Sequence, residues 1–460
     1  MLSEKIITQA LEIAMSTGAD FAELFSEKTR NNNIRMLNGK IDAINDTVVS
    51  GVGIRAFIGT KTVFASTSDL SHEGILKCAA AVAQAVGDKD ISFSVNLTEK
   101  IPHNIHPIKC VGTTVDTKIK TDLLKEGCNA AKEYNEKIAQ VVGALACVDH
   151  NILVANTEGL LTSNRSVRTR MFVNAIASDG TQNQDGTAAP GRGMGLEMFE
   201  TIKPADIGIK AAKQAMTNLG AGYCPAGKMT VAIENAFGGV IFHEACGHSL
   251  EATSVGVGLS QMAGKLGQKI ANEKVTAIDD GTIVNAWGSV NIDDEGNPTR
   301  RNVLIENGIL KSYMVDRLGA RRMNCEMTGN SRRQSYAYEP TSRMTNTFIA
   351  NGPDKNKDII SSIEYGLYAK DMGGGSVDPS TGEFNFSVKE GYIIRNGQIC
   401  EAVRGACLIG TGSEILMNID MVGQNLDTAQ GMCGSSSGSV PTDVGQPLIR
   451  VSSMTVGGRQ

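Results

Sequence analysis

The hydrophobic pattern of this chain changes near residue 220. Before that point, helical periodicity such as that of residues 4–17 alternates with strand-like runs such as residues 48–57. After it, short β-like runs separated by turns dominate, and the pairs Asn307-Gly308 and Asn396-Gly397 indicate tight hairpins. The pattern predicts an α+β fold with an N-terminal mixed α/β domain and a β-rich C-terminal domain.

The length of the chain supports this division. Its 460 residues exceed the roughly 100–200 residues of a typical single domain. Residues 87–107 are polar, contain two prolines and are typical of a linker or crossover. The expected domains are 1–219 and 220–460, with possible subregions 1–90 and 108–219 in the first.

Local patterns give three further expectations. Residues 21–25 and 33–38 are predicted as separate short strands. The stretch 179–192 is rich in Gly, Asp and Gln, which favours a mobile loop. A strand followed by one helix is predicted for residues 228–252.

The composition argues against a nucleic-acid ligand. The formal net charge is -5, with 41% hydrophobic and 20% charged residues. Proteins that bind nucleic acid usually carry a concentrated basic face, whereas basic clusters here are as short as Arg321-Arg322. No direct nucleic-acid partner is expected.

The sequence also predicts a cytoplasmic protein with no membrane partner. The first twenty residues have the pattern of a charged amphipathic helix and lack the apolar core of a signal peptide. No apolar run reaches the roughly 18 residues that span a bilayer. The ten cysteines include no CxxC pair and do not resemble a disulfide framework.

Two of the six histidines, His243 and His248, stand five residues apart, and Glu244 directly follows the first. Imidazole is a good zinc ligand, and a catalytic zinc site uses three protein ligands plus an open position. This HExxxH segment therefore predicts the zinc-binding helix of a metallopeptidase. The alternative is a helix whose two histidines make only structural contacts.

The spacing of these histidines departs from the commoner HExxH. On an ideal α-helix, five residues turn the chain by about 500°, which leaves the two rings about 140° apart. A regular helix would therefore separate them. Gly247 could let the helix end, loosen or bulge there, and so bring His248 back toward His243.

Glu244 has the chemistry of a general base. A carboxylate beside a catalytic zinc can accept a proton from water whose pKa the metal has lowered. The alternative is an ordinary acidic residue near the N-terminus of a helix.

The third metal ligand must come from elsewhere in the chain. Cys433 is the favoured candidate, because it lies in a glycine-flanked segment and a thiolate binds zinc strongly. Cys246 lies between the histidines but is expected to point away from them. The other four histidines precede the boundary near residue 220 and belong to no motif, so the residues alone leave the third ligand open.

Several separated segments in one order resemble the TldD/PmbA family. In this chain they read GVGIRAFIGTKTVFASTSDLS, HEACGHSLEA, RMTNTFI, GGGSVDPSTGEFNFSVKEGYIIRNGQI, VRGACLIG and CGSSSGSVPTDVGQP. The resemblance covers nearly the whole chain. Because the zinc motif is retained, the chain is similar to the TldD-like subunits of the family and differs from the TldE/PmbA-like subunits that lack it.

This resemblance implies a Zn²⁺ site formed by His243, His248 and Cys433, with Glu244 as the catalytic base. It also implies a dimer, either a homodimer or a heterodimer with a TldE/PmbA-like subunit. Family members are implicated in the degradation of unfolded peptides and the maturation of peptide precursors. Residues 435–437 and 442–443 depart from the usual family tail, which leaves substrate preference and the dimer partner open.

The predicted function is therefore a zinc metallopeptidase that hydrolyses peptide bonds in unfolded or extended peptides. The substrate is expected to pair through its backbone with an exposed sheet edge. One alternative is a non-catalytic, zinc-stabilised partner subunit, against which the retention of Glu244 argues. The other is a regulator of another enzyme such as a topoisomerase, which predicts complex formation independent of zinc.

Overall fold

The structure is a computed structural model that describes residues 2–378 and 381–459. Helices and strands alternate in the first half of the chain. The helices are α1 (Glu4–Met15), α2 (His72–Val86), α3 (Thr117–Glu133) and α4 (Pro204–Gly220). The strands are β1 (Phe21–Leu37), β2 (Lys40–Ile58), β3 (Lys61–Thr67), β4 (Thr98–Glu99), β5 (Ile138–Asn156), β6 (Leu160–Ser178), β7 (Asn183–Ala188) and β8 (Gly191–Arg192).

These strands form one sheet with the order β3-β2-β1-β5-β6-β4, and β7 and β8 also pair with β6. Its centre consists of two long antiparallel hairpins, β1 with β2 and β5 with β6. The two separate strands predicted within residues 21–38 are one continuous strand. Exposed polar residues between them do not interrupt β1, because the strand is paired with β2 and β5 along its length.

Two helix pairs pack on this sheet at different positions along β1. Leu24, near the start of β1, belongs to a buried cluster with Ile7 of α1 and Ile75 of α2. Ile34, near the end of β1, belongs to a second cluster with residues of α3 and α4. The first sheet therefore holds both helix pairs through one long strand.

The prediction of a mobile loop over residues 179–192 is wrong, because this segment contains β7 and β8. Gly186 allows β7 to lie against α4, since a Cβ atom at that position would stand 2.2 Å from the carbonyl oxygen of Ala211. The backbone N–H of Thr187 donates to Gln214 of α4 at 2.9 Å. The polar and glycine-rich composition reflects close packing of a strand on a helix.

The second half is dominated by strands. Its helices are α5 (Val240–Phe242), α6 (Ala252–Val255), α7 (Arg317–Met323), α8 (Asn356–Ser361) and α9 (Gly412–Asn418). Its first strands are β9 (Gly222–Tyr223), β10 (Gly227–Ile233), β11 (Ala277–Asp280), β12 (Arg301–Glu306), β13 (Ile309–Leu310), β14 (Ser331–Arg332), β15 (Thr341–Ser342) and β16 (Asn346–Ile349). The remaining strands are β17 (Tyr365–Val377), β18 (Glu383–Arg395), β19 (Gln398–Arg404), β20 (Cys407–Thr411), β21 (Ile419–Val422), β22 (Asp427–Ser435), β23 (Gly438–Gln446) and β24 (Ile449–Gly457).

Two larger sheets enclose the core of this half. One has the order β17-β10-β24-β20-β18-β19-β9, and the other has the order β13-β12-β11-β16-β23-β22. Both predicted Asn-Gly hairpins are confirmed: Asn307 and Asn396 have φ values of 48° and 49°, and the glycine after each also has a positive φ. The predicted α+β class with a β-rich second half is confirmed, while the boundary near residue 220 stays a prediction.

A buried ion cluster joins the first sheet to the second half of the chain. Arg55 of β2 is fully buried and pairs with Glu23 of β1 at 3.0 Å and with Glu295. Arg333 also contacts Glu23 at 3.0 Å. Buried ion pairs thus connect the two halves of the chain.

Within residues 2–378 and 381–459, the helices lack the combination of length and apolar composition that crossing a bilayer requires.

Candidate metal centre

The two histidines of the motif lie on a helical segment with an irregular backbone. After β10 the chain forms α5, then a π-helix at His243–Gly247 and a 3₁₀-helix at His248–Leu250. The backbone N–H of His248 donates to the carbonyl oxygen of His243, five residues earlier. The predicted loosening of the helix is thus observed, and it takes the form of a π-bulge.

The π-bulge brings the two imidazoles together. Their ring centroids are 5.1 Å apart, with an angle of 83° between the ring planes. A regular α-helix would point these rings in directions about 140° apart. The π-bulge therefore compensates for the five-residue spacing, which would separate the two rings on a regular helix.

Gly247 supports this arrangement through its small size. Its φ of -56° is an ordinary helical value, so backbone freedom is not the reason for a glycine there. A Cβ atom at this position would stand 2.3 Å from Sδ of Met344, which is fully buried. The absence of a side chain lets the helical segment lie against the chain before β16.

Packing between the two sheets holds the helical segment in place. Phe242, directly before the π-helix, and Leu250, at the end of the 3₁₀-helix, belong to the main buried cluster of the second half. The same cluster contains Val231 of β10 and Ile349 of β16, which come from different sheets. The histidines are therefore fixed by the core from both sides.

Cys433 meets both histidines, although it lies far from them in the sequence. It belongs to β22, two residues before that strand ends, and is not in the loop that its flanking glycines suggested. Its Sγ atom is 3.2 Å from Nε2 of His243 and 3.3 Å from Nε2 of His248. These three atoms lie within 4.8 Å of one another, close enough to hold one metal ion.

Glu244 lies on the more open side of this group. Its Oε2 atom is 3.7 Å from Nε2 of His248, and its side chain is 31% exposed. By contrast, His243 and Cys433 are buried. A carboxylate therefore lies beside the ligand atom of His248, and part of its side chain is accessible to water.

The electrostatics of the group favour a thiolate. Burial by itself raises the pKa of the Cys433 thiol, but the adjacent imidazoles of His243 and His248 outweigh burial and lower that pKa to about 3. For His248, burial lowers the pKa, but the Glu251 carboxylate and Cys433 outweigh it, so the pKa lies well above its usual value. A negative sulfur is the form of cysteine that binds metals.

Other candidate residues lie elsewhere. Cys246 points away from the group, as predicted, and its thiol donates to the carbonyl oxygen of Gly412 at 3.6 Å. His106 accepts a hydrogen bond from the backbone of Asn285. His150 stands 3.6 Å from Glu27 of the first sheet.

Sequence reasoning did not single out Glu251 and Arg343, which adjoin the group. Glu251 contacts His248, and Arg343 binds the carbonyl oxygen of Cys433. Glu251 follows His248 by three residues, which is the spacing of neighbours on one helix face. That spacing was the available signal for Glu251, whereas Arg343 carries no local signal.

Comparison with known proteins places these features in a family. Models of the PmbA/TldA metallopeptidase family match three parts of the chain. The domain 1 model matches residues 22–85, the central-domain model residues 112–219 and the C-terminal-domain model residues 226–458.

Relatives match along the full chain. The "Metalloprotease TldD homolog" of Haemophilus influenzae is 35% identical over 470 aligned residues, which cover 99% of this chain and 97% of the relative. The "Zinc metalloprotease TldD homolog" of Saccharolobus solfataricus is 26% identical and covers 99% of each chain. Among solved structures, TldE from Thermococcus kodakarensis has a TM-score of 0.75 at 20% identity, with 96% of this chain and 97% of that chain covered.

The family models together span most of the sequence, and the relatives that carry the TldD name align with nearly all of it. This chain belongs to the TldD/PmbA metallopeptidase family.

Proposed function

We propose that this chain is a zinc metallopeptidase that hydrolyses peptide bonds in unfolded or extended peptides. The observation that carries the proposal is that the ligand atoms of His243, His248 and Cys433 lie within 4.8 Å of one another. Glu244 stands at the edge of the same group. Relatives named as metalloproteases support the activity class.

The three side chains fit zinc by chemistry and by distance. Two imidazoles and one thiolate match the donor set of catalytic zinc sites, in which a fourth position stays open. When a nitrogen and a sulfur bind one tetrahedral zinc ion, their separation is about 3.6 Å, from usual bond lengths. The two N-to-S separations here are 3.2 and 3.3 Å, so a small expansion would accommodate the ion.

Glu244 is proposed as the general base. Zinc in such a site supplies Lewis-acid chemistry, which lowers the pKa of water toward neutrality and polarises a carbonyl group. The Glu244 carboxylate would accept the proton of the attacking water and pass it to the leaving amine. Its distance of 3.7 Å from Nε2 of His248 and its 31% exposure support this role.

The position of Cys433 supports an extended substrate. Cys433 lies on β22, which is the terminal strand of its sheet. Next to it, Met432 is 52% exposed. A peptide in extended conformation could pair with such an edge through its backbone, which would select unfolded chains with little regard to side chains.

A dimer remains part of the proposal, as a homodimer or a heterodimer with a TldE/PmbA-like subunit. Fold and family support it, since the Thermococcus kodakarensis TldE has the same fold as this chain along almost its entire length. Size-exclusion chromatography with light scattering, with and without a TldE-like subunit, would distinguish the two assemblies.

The decisive experiment compares wild-type protein with Glu244→Gln at matched zinc content on a pool of unstructured peptides. We expect the wild type to cleave and Glu244→Gln to lose about 10²–10⁴-fold in kcat/KM while it retains zinc. Glu326→Gln, at an exposed glutamate, is the control and should cleave normally.

Two results would contradict the proposal. If fully zinc-loaded wild type cleaves nothing, alone or with a TldE-like subunit, the chain is not a peptidase. If Glu244→Gln cleaves as fast as the wild type, Glu244 is not the base. Equal cleavage of a stably folded domain and its denatured form would rule out selection of extended substrates.

A further inference from the structure

The ring of His248 is held at both of its nitrogen atoms. Nε2 faces Sγ of Cys433 at 3.3 Å, and Nδ1 donates to Oε2 of Glu251 at 3.1 Å. The Glu251 side chain is 7% exposed, so this contact is shielded from water. A carboxylate that accepts from one ring nitrogen fixes the orientation of the ring, so the other nitrogen faces the metal position and offers its lone pair once its proton is displaced.

Glu251 in turn faces a buried arginine. Its Oε1 atom lies 4.0 Å from Nε of Arg343, and in the part of the chain that the structure describes neither of these buried atoms has a hydrogen-bond partner. Arg343 is fully buried. The two opposite charges therefore face each other in a place shielded from water, where such a pair interacts strongly.

Arg343 also holds the chain around Cys433. Its guanidinium donates to the carbonyl oxygen of Cys433, to Oγ of Ser437 at 2.9 Å and to the carbonyl oxygen of Gly438 at 2.9 Å. It therefore spans the turn that joins β22 to β23. One ion pair links the segment that bears His248 to the strand that bears Cys433.

His243 has no such support. Its Nδ1 atom is buried and has no hydrogen-bond partner among the described residues. The orientation of this ring depends on packing in the core, where His243 is 2% exposed. Of the two histidines, His248 is therefore the one whose orientation depends on a charged partner.

We propose that Glu251 and Arg343 act as a pair of positioning residues that hold His248 and Cys433 at the separation that zinc binding requires. This inference rests on the proposed zinc site. It assigns to Glu251 and Arg343 a role in metal affinity that is separate from the proton transfer proposed for Glu244.

The test measures the zinc dissociation constant by competition with a chromophoric chelator. We expect Glu251→Gln, which keeps the shape and removes the charge, to bind zinc about 10–100-fold more weakly than the wild type. Glu251→Asp keeps the carboxylate and should recover part of the loss. Glu326→Gln is the matched control and should bind zinc like the wild type.

Arg343→Lys tests the other member of the pair. Lysine keeps the positive charge but cannot span Ser437 and the Cys433 carbonyl oxygen at once. We expect weaker zinc binding, and a loss in the double variant with Glu251→Gln that is smaller than the product of the two single losses. Circular dichroism of the metal-free variants should match the wild type, which separates positioning from misfolding.

The outcomes separate this inference from the proposed function. If the wild type binds no zinc, the proposed function fails and this inference fails with it. If the wild type binds zinc and folded Glu251→Gln binds it equally well, only the positioning role is overturned. Independent, fully multiplicative losses in the double variant would contradict coupling through the ion pair.

Discussion

Nε2 of His243 lies 3.2 Å from Sγ of Cys433, although 190 residues separate the two in the chain. One belongs to a π-helix and the other to the edge strand of a sheet. The contact depends on the packing of the helical segment between two sheets, which places a short irregular helix beside the end of β22. The proposed metal site is therefore a property of the folded second half as a whole.

Replacement of Cys433 by alanine should abolish tight zinc binding. Loss of a ligand is expected to weaken binding by more than the roughly 10–100-fold that changes around a ligand cause. Cys325→Ala, at an exposed cysteine, should have no effect. Metal content after dialysis against a weak chelator measures the difference, and full zinc retention in Cys433→Ala would remove this residue from the site.

Gly247→Ala should destabilise the protein by about 1–3 kcal/mol, the range for overpacking a well-packed core. The new methyl group would stand 2.3 Å from Sδ of Met344, a fully buried side chain that would have to shift within the core. Gly220→Ala, at a position where no atom of the described residues lies within 4 Å of the new one, is the control. Chemical denaturation would compare them, and equal midpoints would show that space at Gly247 is not limiting.

Zinc binding at pH 7 should release about one proton. In the metal-free protein the pKa of Cys433 is about 3, so its sulfur is already a thiolate. The pKa of His248 is well above 6.5, mainly because Glu251 outweighs the effect of burial, so its ring carries a proton that zinc must displace. Zinc affinity should therefore fall by about tenfold for each unit that the pH drops below neutrality.

Calorimetry in buffers of different ionisation enthalpy counts the protons released. Glu251→Gln removes the carboxylate that raises the pKa of His248, so its proton release should be smaller. Release of two or more protons at pH 7 would indicate that a ligand besides His248 carries a proton in the metal-free protein. A release of none would indicate that His248 is already neutral.

Arg55→Gln should cost about 3–5 kcal/mol, because it leaves the buried Glu295 without its arginine and leaves Glu23 with Arg333 alone. Arg55 is fully buried between Glu23 and Glu295. Arg35→Gln removes an exposed pair with Asp42 and should cost less than about 1 kcal/mol. Urea denaturation of both variants tests this contrast, and a small effect at Arg55 would mean that water enters the cluster.

The sequence predicted much of the local structure, because the patterns used for it involve residues that are close together in the chain. Hydrophobic periodicity located α1, and the Asn-Gly pairs located two hairpins. The loop expected at residues 179–192 was wrong, because polar composition there reflects contact with α4 and not mobility. Composition alone does not distinguish a solvated loop from a strand that packs its glycine on a helix.

For the candidate site, the sequence by itself determined the residue types and one unusual spacing. His243, Glu244 and His248 were visible as a motif, and Gly247 indicated that the helix would be irregular. Tertiary structure decided how the pieces meet: the π-bulge turns the two rings together, β22 brings Cys433 to them, and Glu251 with Arg343 joins both segments. The physical reason is the distance in sequence over which each kind of information acts. A motif contains only residues that are neighbours along the chain, whereas the distances between ligands are set by the packing of sheets whose contacting residues lie far apart in sequence.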